Sequence, residues 1–521
     1  MSWAAGWADS LRGPARLRLV VGGLGLPPVL ELGPDELLSA DVSGGELALR
    51  QWATTTPQLT VRVAGGPLRL AEVRACRLGL AARLYVETTA GEEVVWTGPL
   101  REVQTPRPGV VAMVVDDASA WARSRYAAPG TGTGAWRDGL FASSLLTTTT
   151  TSSYHVPSGT MAITDDPGAC FAEDPRGGRW ALVEVEGPDG LYYLSASGYT
   201  TTSLSGLTLE WIPVGSGAPH TPSGATVRIG PLLVGSPQDI VLRVLLSTGA
   251  AGGGYDVLDA DQGLALPPSV VDTADAARLS TVVNAVGTLN RWTFGALTQH
   301  ADPEGGPLLT WAAGLGVWLC PRQGSLTVRA ACDPHDATAW AALYVGSVTD
   351  DDLIEVGVHS TRAPDMVPEY LGASIPLTTG ATSYDAWAIY DPTVSTSTRG
   401  PQTWPVGPAR AALPWPGGGD GLPIMAMAAT SGLPAHTAHV DDAARRLAVW
   451  YSRQCEAVEV TLAGPALGWA AGDLVSVTSA AVPGPAATGG VAVGRRALWV
   501  PQAWDWAART VSGTLYLLSA S

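Results

Sequence analysis

Hydrophobic and polar residues alternate in many short runs along this 521-residue chain, as is typical of β-strands with one buried face. Leu17 and Leu19 alternate with arginines, and Leu59, Val61 and Val63 have a period of two. Comparable runs, or short apolar runs between turn residues, predict strands at residues 84–87, 94–97, 110–115, 181–186, 191–194, 207–211, 225–229, 282–289, 291–294, 316–320, 326–330, 353–359, 387–390, 457–462, 474–478, 498–500 and 510–518. We therefore predict a multidomain chain that is mainly β with a few helices, a β-rich α+β fold.

The stretch Gly235 to Arg278 interrupts this pattern, and the rest of the chain is organised around it. Ser236 is a good N-cap, Pro237 suits the first helical position, and apolar residues then recur at helical spacing. These signals predict a helix over 237–248. Pro267 and Pro268 predict the start of a second helix, over 268–278.

Three more helices are predicted outside that stretch. Asp117 can cap a short helix that runs to Tyr126, and residues 336–342 form another short one. The clearest helix lies near 437–454, where two Asp–Arg pairs at i,i+4 spacing accompany an apolar stripe. The stripe consists of Val440, Ala444, Leu447 and Tyr451.

Changes in composition divide the chain into four predicted domains. Residues 1–126 and 352–521 are each predicted to form a small β-barrel with a packing helix, one at each end of the chain. Residues 127–232 are rich in Thr, Gly and Ser, including Thr147–Thr151, and predict a smaller inserted β-domain. Residues 233–351 form a mixed middle with helices. The Pro- and Gly-rich loop Gly400–Gly421 is long enough to carry a contact.

Charge and cysteine content narrow the possible classes of function. The formal net charge is −16 and every Lys or Arg position is an arginine. This net negative charge argues against nucleic-acid binding, which needs clustered Lys or Arg side chains. Five widely spaced cysteines predict buried or free thiols in a chain folded in the cytoplasm. We find no apolar run of about 18 residues and no signal-peptide pattern, so we expect no membrane insertion.

Familiar catalytic and metal-binding motifs give weak signals in this chain. Cys332 and His335, with Cys320 upstream, have a fragment of zinc-site spacing, but buried thiols in a hairpin explain them better. His436 and His439 could share one helix face, although surface histidines are the simpler interpretation. We therefore expect no catalytic, cofactor-binding or metal-binding residues and no cofactor.

Neighbouring carboxylates are another possible source of acid–base pairs or cation ligands. Asp350, Asp351 and Asp352 lack the ligand spacing of a calcium loop. Pairs occur at 92–93, 116–117 and 165–166, but adjacent residues on a strand point to opposite faces. The 20 tryptophans could line sugar-binding platforms, yet their spread favours core and interface anchors.

Four stretches together resemble the baseplate hub or tail-tip hub proteins of tailed bacteriophages. The most specific is SPQDIVLRVLLSTG…YDVLDADQGLALPPSVVD within the central stretch. The other three are Gly98–Arg123, Ala218–Ile229, and the helix, strand and Gly-Asp turn of Asp441–Ser479. These stretches cover about a third of the chain in the family's order, and none is a catalytic signature.

The resemblance implies a structural protein with two tail-tube-like domains per chain. Such hubs are homotrimers whose barrels form a pseudo-sixfold ring. The ring contacts the tail tube or a distal tail protein on one side, and a spike or fibre protein and the tape measure protein on the other. DNA would pass through the lumen without specific binding. The chain would lie at the tail tip or baseplate of the virion and assemble in the host cytoplasm.

Two other classes of function stay open at this point. A receptor- or carbohydrate-binding virion protein is favoured by the tryptophans and the Thr-rich domain, and it should show an exposed aromatic groove. A cell-wall hydrolase of a tail tip should show a cleft with converging carboxylates or a metal. A hub should form a ring-shaped oligomer.

Overall fold

The computed structural model confirms a β-rich multidomain chain with several sheets and few helices. With short internal gaps, it describes residues 16–122, 145–246, 266–283, 316–362 and 455–519. Isolated short pieces at 292–295, 383–386, 402–405 and 425–426, and residues Ala312, Arg446 and Trp450, are also described. In these parts of the chain, no helix is long and apolar enough to cross a membrane.

The N-terminal part is a run of strands with one main helix, α1. Its strands are β1 Leu17–Gly22, β2 Pro28–Leu32, β3 Leu37–Ser43, β4 Leu47–Ala48, β5 Ala53–Thr54, β6 Gln58–Ala64, β7 Ala81–Thr88, β8 Gly91–Arg107 and β9 Val110–Asp116. Its helices are α1 Pro67–Arg74 and α2 Ser119–Ala122. The predicted strands and the 84–97 hairpin are confirmed. Asp117 starts α2 as predicted, because its carboxylate accepts the Ser119 amide at 3.1 Å.

Helix α1 was absent from the sequence predictions. It begins at Pro67 with no side-chain cap from Gly66, so Pro67 at its first position is the start signal that the sequence predictions missed. Leu70 and Val73 are its buried residues. Arg69 ties the helix to the preceding turn through Glu36, with Nε 2.6 Å from Oε1.

Residues 146–235, which include most of the predicted inserted domain, have a hydrophobic core of their own and a set of short strands. They are β10 Leu146–Thr149, β11 Tyr154–His155, β12 Thr160–Ala162, β13 Ala172–Glu173, β14 Arg179–Gly187, β15 Gly190–Ala196, β16 Gly198–Thr200, β17 Ser203–Ser205, β18 Thr208–Trp211, β19 His220–Thr221 and β20 Thr226–Gly235. The four strands predicted here are confirmed. Part of the threonine run, Thr147–Thr149, is in strand β10, which pairs with β20.

The central stretch contains the helix predicted at its start. Helix α3 is Pro237–Leu246, and the Ser236 hydroxyl lies 3.4 Å from the Asp239 amide and 2.5 Å from its carboxylate. The prediction of one helix over 268–278 is wrong. A 3₁₀ turn at Pro268–Val270 is followed by a separate helix α4, Thr273–Ala277. Helix α4 starts separately because Val271 bridges to Leu326 and Asp272 caps the Asp275 amide at 2.9 Å.

The strand predicted at 282–289 is wrong over its described part, because Val282 and Val283 lie in helix α5, Ser280–Val283. Both valines are buried, and their amides bond to the Leu279 carbonyl. The rest of the middle follows as β21 Trp292–Gly295, β22 Val317–Arg322, β23 Ser325–Ala330, α6 Ala337–Leu343 and β24 Tyr344–Thr349. The predicted strands at 291–294, 316–320 and 326–330 and the helix at 336–342 are confirmed.

The C-terminal part adds the remaining strands. They are β25 Leu353–Arg362, β26 Ser383–Ala386, β27 Gln402–Pro405, β28 Met425–Ala426, β29 Cys455–Ala463, β30 Leu474–Pro483, β31 Val491–Asp505 and β32 Thr510–Leu518. Arg446 and Trp450, within the helix predicted near 437–454, are both helical. They donate to the carbonyls of Ala331 and Cys332 at 3.2 and 3.0 Å. The apolar stripe of that helix and the strand predicted at 387–390 lie outside the described residues.

Strands from both ends of the chain form one 13-stranded sheet. Its order is β2-β1-β7-β8-β9-β6-β3-β31-β32-β29-β25, with β24 and β31 both pairing β30. The two ends meet where Asp41 pairs with Asp505 and Val42 with Trp504. Side chains of both ends share one hydrophobic core, in which Trp96 and Trp504 pack edge to face at 6.5 Å. The predicted boundaries of the four domains stay predictions.

Candidate functional site

Among the described residues, the most concentrated group of charges is a buried network where three segments meet. Helix α4 supplies Asp275, strand β23 supplies Arg329, and the turn before β30 supplies Asp473. The guanidinium of Arg329 lies 2.5 Å from the carboxylate of Asp275 and 2.7 Å from that of Asp473. The Arg329 and Asp473 side chains are both 0% exposed. The network therefore joins the central stretch to the C-terminal β-structure through a fully buried cation.

Asp275 is the most highly connected acid of this network. Its carboxylate also accepts from Thr327 Oγ1 at 2.6 Å and pairs with Arg322 and Arg278 at 2.6 and 2.9 Å. Burial of the carboxyl opposes ionisation, but the charge of Arg329 and its hydrogen bond outweigh it, so the pKa of Asp275 lies well below its usual range. Asp275 is thus an anion held by arginines and is not poised to accept a proton near neutral pH.

The Gly472–Asp473 turn places the second acid. Asp473 Oδ2 accepts the Ala470 amide at 2.8 Å, which closes the turn around the carboxylate. Gly472 has φ +105°, and a Cβ there would lie 2.6 Å from the Trp318 ring and 3.1 Å from Arg329 Cβ. Trp318 in turn donates its indole hydrogen to the Ala471 carbonyl at 2.9 Å. Glycine is therefore required both by the backbone conformation and by the close approach of β22 and β23.

This arrangement is better suited to holding chain segments together than to catalysing a reaction. Both carboxylates are matched by arginines and hydrogen bonds, and the acids and the central arginine are buried. Catalytic acids and bases need a pKa near the working pH and access to a substrate. Here the pKa of Asp275 is displaced away from neutrality. The network can fix the relative position of three chain segments.

The residues with zinc-like spacing serve other contacts. Cys320 points to the Ala471 carbonyl, with its sulfur 3.6 Å from the oxygen. His335 Nε2 lies 3.0 Å from the Leu518 carbonyl oxygen. All five cysteines are buried and form no disulfide, as predicted, and burial raises the pKa of Cys320 and Cys332 to about 12. In the described parts of the chain, no three potential metal ligands gather.

Most of the neighbouring carboxylates considered in the sequence analysis have structural partners. Asp350 accepts from the Ser479 hydroxyl at 2.5 Å, and Asp352 accepts the Thr349 amide at 2.9 Å. Asp116 and Asp117 are buried where β9 ends. In the 165–166 pair, Asp165 accepts from Thr148 and Asp166 from the Gly168 amide. Glu92 pairs with Arg18 on the surface.

Of the other features named from the sequence, His436 and His439 lie outside the described residues, and only Gln402–Pro405 of the predicted loop Gly400–Gly421 is described, as strand β27.

Sequence reasoning missed Arg329 and the link between Asp275 and Asp473. One signal was available, since Arg329 is a charge within the apolar strand run 326–330, where a cation needs a buried partner. The partners could not be chosen, because Asp275 and Asp473 lie 54 and 144 residues away and many acids lie between them.

A second candidate site is formed by two of the outer strands of the 13-stranded sheet, β2 and β25. Strand β2 pairs with β1 and strand β25 with β29, and among the described residues no strand pairs with their outer edges. Val29 on β2 is 62% exposed, and Ile354 and Val358 on β25 are 58% and 63% exposed. Open edges that carry exposed apolar side chains are suited to contacts with another chain.

Comparisons with known proteins find similar solved structures, whereas no family model and no curated protein matches this chain. The crystal structure of a 43 kDa tail protein of prophage MuSo2 from Shewanella oneidensis is 10% identical, with a TM-score of 0.34, covering 96% of this chain and 98% of that one. A tail protein from Neisseria meningitidis MC58 is 11% identical, with a TM-score of 0.34 and 97% coverage of both chains.

A chain from the virion of a native gene transfer agent particle is also similar. It is 15% identical, with a TM-score of 0.17, and the match covers 43% of this chain and 82% of that one. Similarities at TM-scores this low assign neither a fold nor a function.

Proposed function

We propose that this protein is a structural virion protein, the trimeric hub of a phage tail tip or baseplate. In this role it adapts the tail tube to the distal spike, fibre or tape-measure machinery. In this role the protein holds its neighbours in position, and it requires no active site. It is assembled in the host cytoplasm and remains in the virion.

The observation that carries this proposal is the single sheet formed by both ends of the chain. Two of its outer strands, β2 and β25, lie far apart in the sequence and at opposite ends of the strand order, and one edge of each pairs with no described strand. Unlike edges on one subunit support head-to-tail contacts between copies, which close into a ring when the rotation fits. A closed ring would cover both edges and remove an aggregation hazard.

The buried network supports the same role from inside the subunit. A hub must keep its β-modules in fixed relation while the tail is loaded along its axis. Arg329, Asp275 and Asp473 link the central stretch to the turn that leads into β30, a strand of the large sheet. Breaking a buried pair is costly, so this link resists displacement.

The net charge of −16 fits a lumen that DNA must traverse. Like charges repel, so an acidic wall does not retain the phosphate backbone. The loop Gly400–Gly421 is a candidate contact with a neighbouring tail protein.

Assembly tests the proposal directly. The mass of the purified chain, alone and with tail-tube protein, is measured by light scattering, and particles are imaged by negative-stain electron microscopy. We expect a threefold ring, on its own or at the end of a tube. A chain that stays monomeric in both conditions and is absent from purified tails would refute the hub.

Charged edge variants sharpen this test. Val29→Lys and Val358→Lys place a cation on each outer strand and are expected to prevent ring formation while leaving the fold intact. Leu78→Lys is the matched control, because Leu78 is 53% exposed and lies in a turn that belongs to neither β2 nor β25. Rings that survive both edge variants would rule out β2 and β25 as the contact surfaces.

A further inference from the structure

Two histidines face each other on a small ribbon of the inserted domain. Strands β11 and β19 pair so that Tyr154 lies opposite Thr221 and His155 lies opposite His220. Tyr154 and Thr221 are buried, and the Thr221 hydroxyl is hydrogen-bonded to that of Tyr192. Because neighbouring residues on a strand point to opposite faces, His155 and His220 lie on the outer face.

The imidazole rings are already in contact. Their centroids are 4.2 Å apart and the rings are tilted by 43°. His155 is exposed and His220 is half-buried, so a solute can reach the pair from one side. The inner pair anchors the ribbon, which keeps the two histidine backbones in register without help from the rings.

We propose that His155 and His220 form a chelating site for a divalent transition metal of the Zn²⁺, Ni²⁺ or Cu²⁺ class. Neutral imidazole is a preferred ligand of these ions, and two imidazoles held side by side bind one ion together. Solvent water completes the coordination, because the outer face is open. This site is independent of the hub function proposed above.

The observed separation is close to what chelation requires. With metal–nitrogen distances of about 2.0–2.1 Å, an ion lies about 3.2 Å from each ring centroid. Angles of about 90–109° at the metal then put the centroids about 4.5–5.2 Å apart. The ring centroids need to move apart by about 0.3–1.0 Å from 4.2 Å, which side-chain rotations provide.

Two other described histidines serve as contrasts. His335 Nε2 is bonded to the Leu518 carbonyl, and His359 Nε2 contacts the Glu456 carboxylate at 3.2 Å. Each of these rings has a protein partner and no second histidine opposite it.

Metal titration of the full chain tests the site. Ni²⁺ or Zn²⁺ binding is followed by calorimetry for the wild type, His155→Gln, His220→Gln and the double variant, with His359→Gln as the control. We expect each single variant to weaken binding at least about tenfold, and the double variant to bind one ion fewer per chain, with His359→Gln unchanged. Equal stoichiometry and affinity in the wild type and the double variant would overturn the proposal.

Two further measurements keep the test decisive if a variant folds poorly. Electron paramagnetic resonance of wild-type protein with one equivalent of Cu²⁺ should show coupling to two imidazole nitrogens, and coupling to one or none would refute the site. The metal should also raise the melting temperature of the wild type, because it binds the folded ribbon. No rise at saturating metal would likewise count against it.

Discussion

Replacing Arg329 with methionine is the most informative perturbation of the buried network. Methionine keeps much of the side-chain volume but removes the guanidinium. Asp473 then loses its 2.7 Å ion pair, and Asp275 loses its 2.5 Å contact. Asp275 retains its ion pairs with Arg322 and Arg278, whereas Asp473 retains the hydrogen bond from the Ala470 amide.

The size of the effect follows from burial. Removing one partner of a buried ion pair typically costs about 3–5 kcal/mol, because the remaining charge is left in a poorly solvated site. In a domain of about 150–250 residues, each kcal/mol lowers the melting temperature by roughly 2–4 °C. We therefore expect Arg329→Met to lower the melting temperature by roughly 6–20 °C.

Thermal melting followed by circular dichroism and by limited proteolysis measures this change. Arg62→Met is the control, because the Arg62–Asp41 pair spans 3.2 Å with side chains 50% and 39% exposed. An exposed pair of this kind contributes about 0–1 kcal/mol. If Arg329→Met melts within a few degrees of Arg62→Met, the network does not hold the segments together and our reasoning is wrong.

Three further predictions concern the same region and the thiols. The pKa of Asp275 is lowered in the folded state, so ionised Asp275 stabilises the fold. This contribution to the free energy of unfolding is complete above the unfolded pKa of about 3.9 and is lost as the pH falls below that value. We expect the denaturation midpoint of the wild type to fall as the pH is lowered from 7 to 3, and that of Arg329→Met to fall less steeply. Equal slopes of midpoint against pH in the two proteins would contradict this. Gly472→Ala should lower the free energy of unfolding by about 3 kcal/mol, because residue 472 has φ +105° and a Cβ there would approach Trp318. The control is Gly109→Ala, where φ is +79° and a Cβ would enter open space. Native protein should resist thiol labelling at pH 8 and release five reactive thiols on unfolding, since burial raises the pKa of Cys170 to about 12 as it does for Cys320; fast labelling of the native chain would refute this.

Local signals account for most of the strands and for helix α3. The alternation of Leu59, Val61 and Val63 depends only on the two-residue period of a strand, and the structure places all three in the core. The start of α3 depends on Ser236 and Asp239, which are three residues apart. Information of this range is present in the sequence itself.

Tertiary contacts changed two local predictions. Val282 and Val283 favour a strand by propensity, yet packing in the core beside α6 makes them helical. The bridge from Val271 to Leu326 splits the helix predicted over 268–278. In both places a partner distant in sequence outweighs the preference of the segment alone.

The sequence by itself determined a β-rich chain, the start of its central helix, and cysteines that form no disulfides. Only the tertiary structure decided that Val42 pairs with Trp504, that Arg329 lies between Asp275 and Asp473, and that His155 faces His220. The physical reason is that strand pairing and charge pairing select among many chemically equivalent partners. That choice depends on how the whole chain closes its core, which no short stretch of residues specifies.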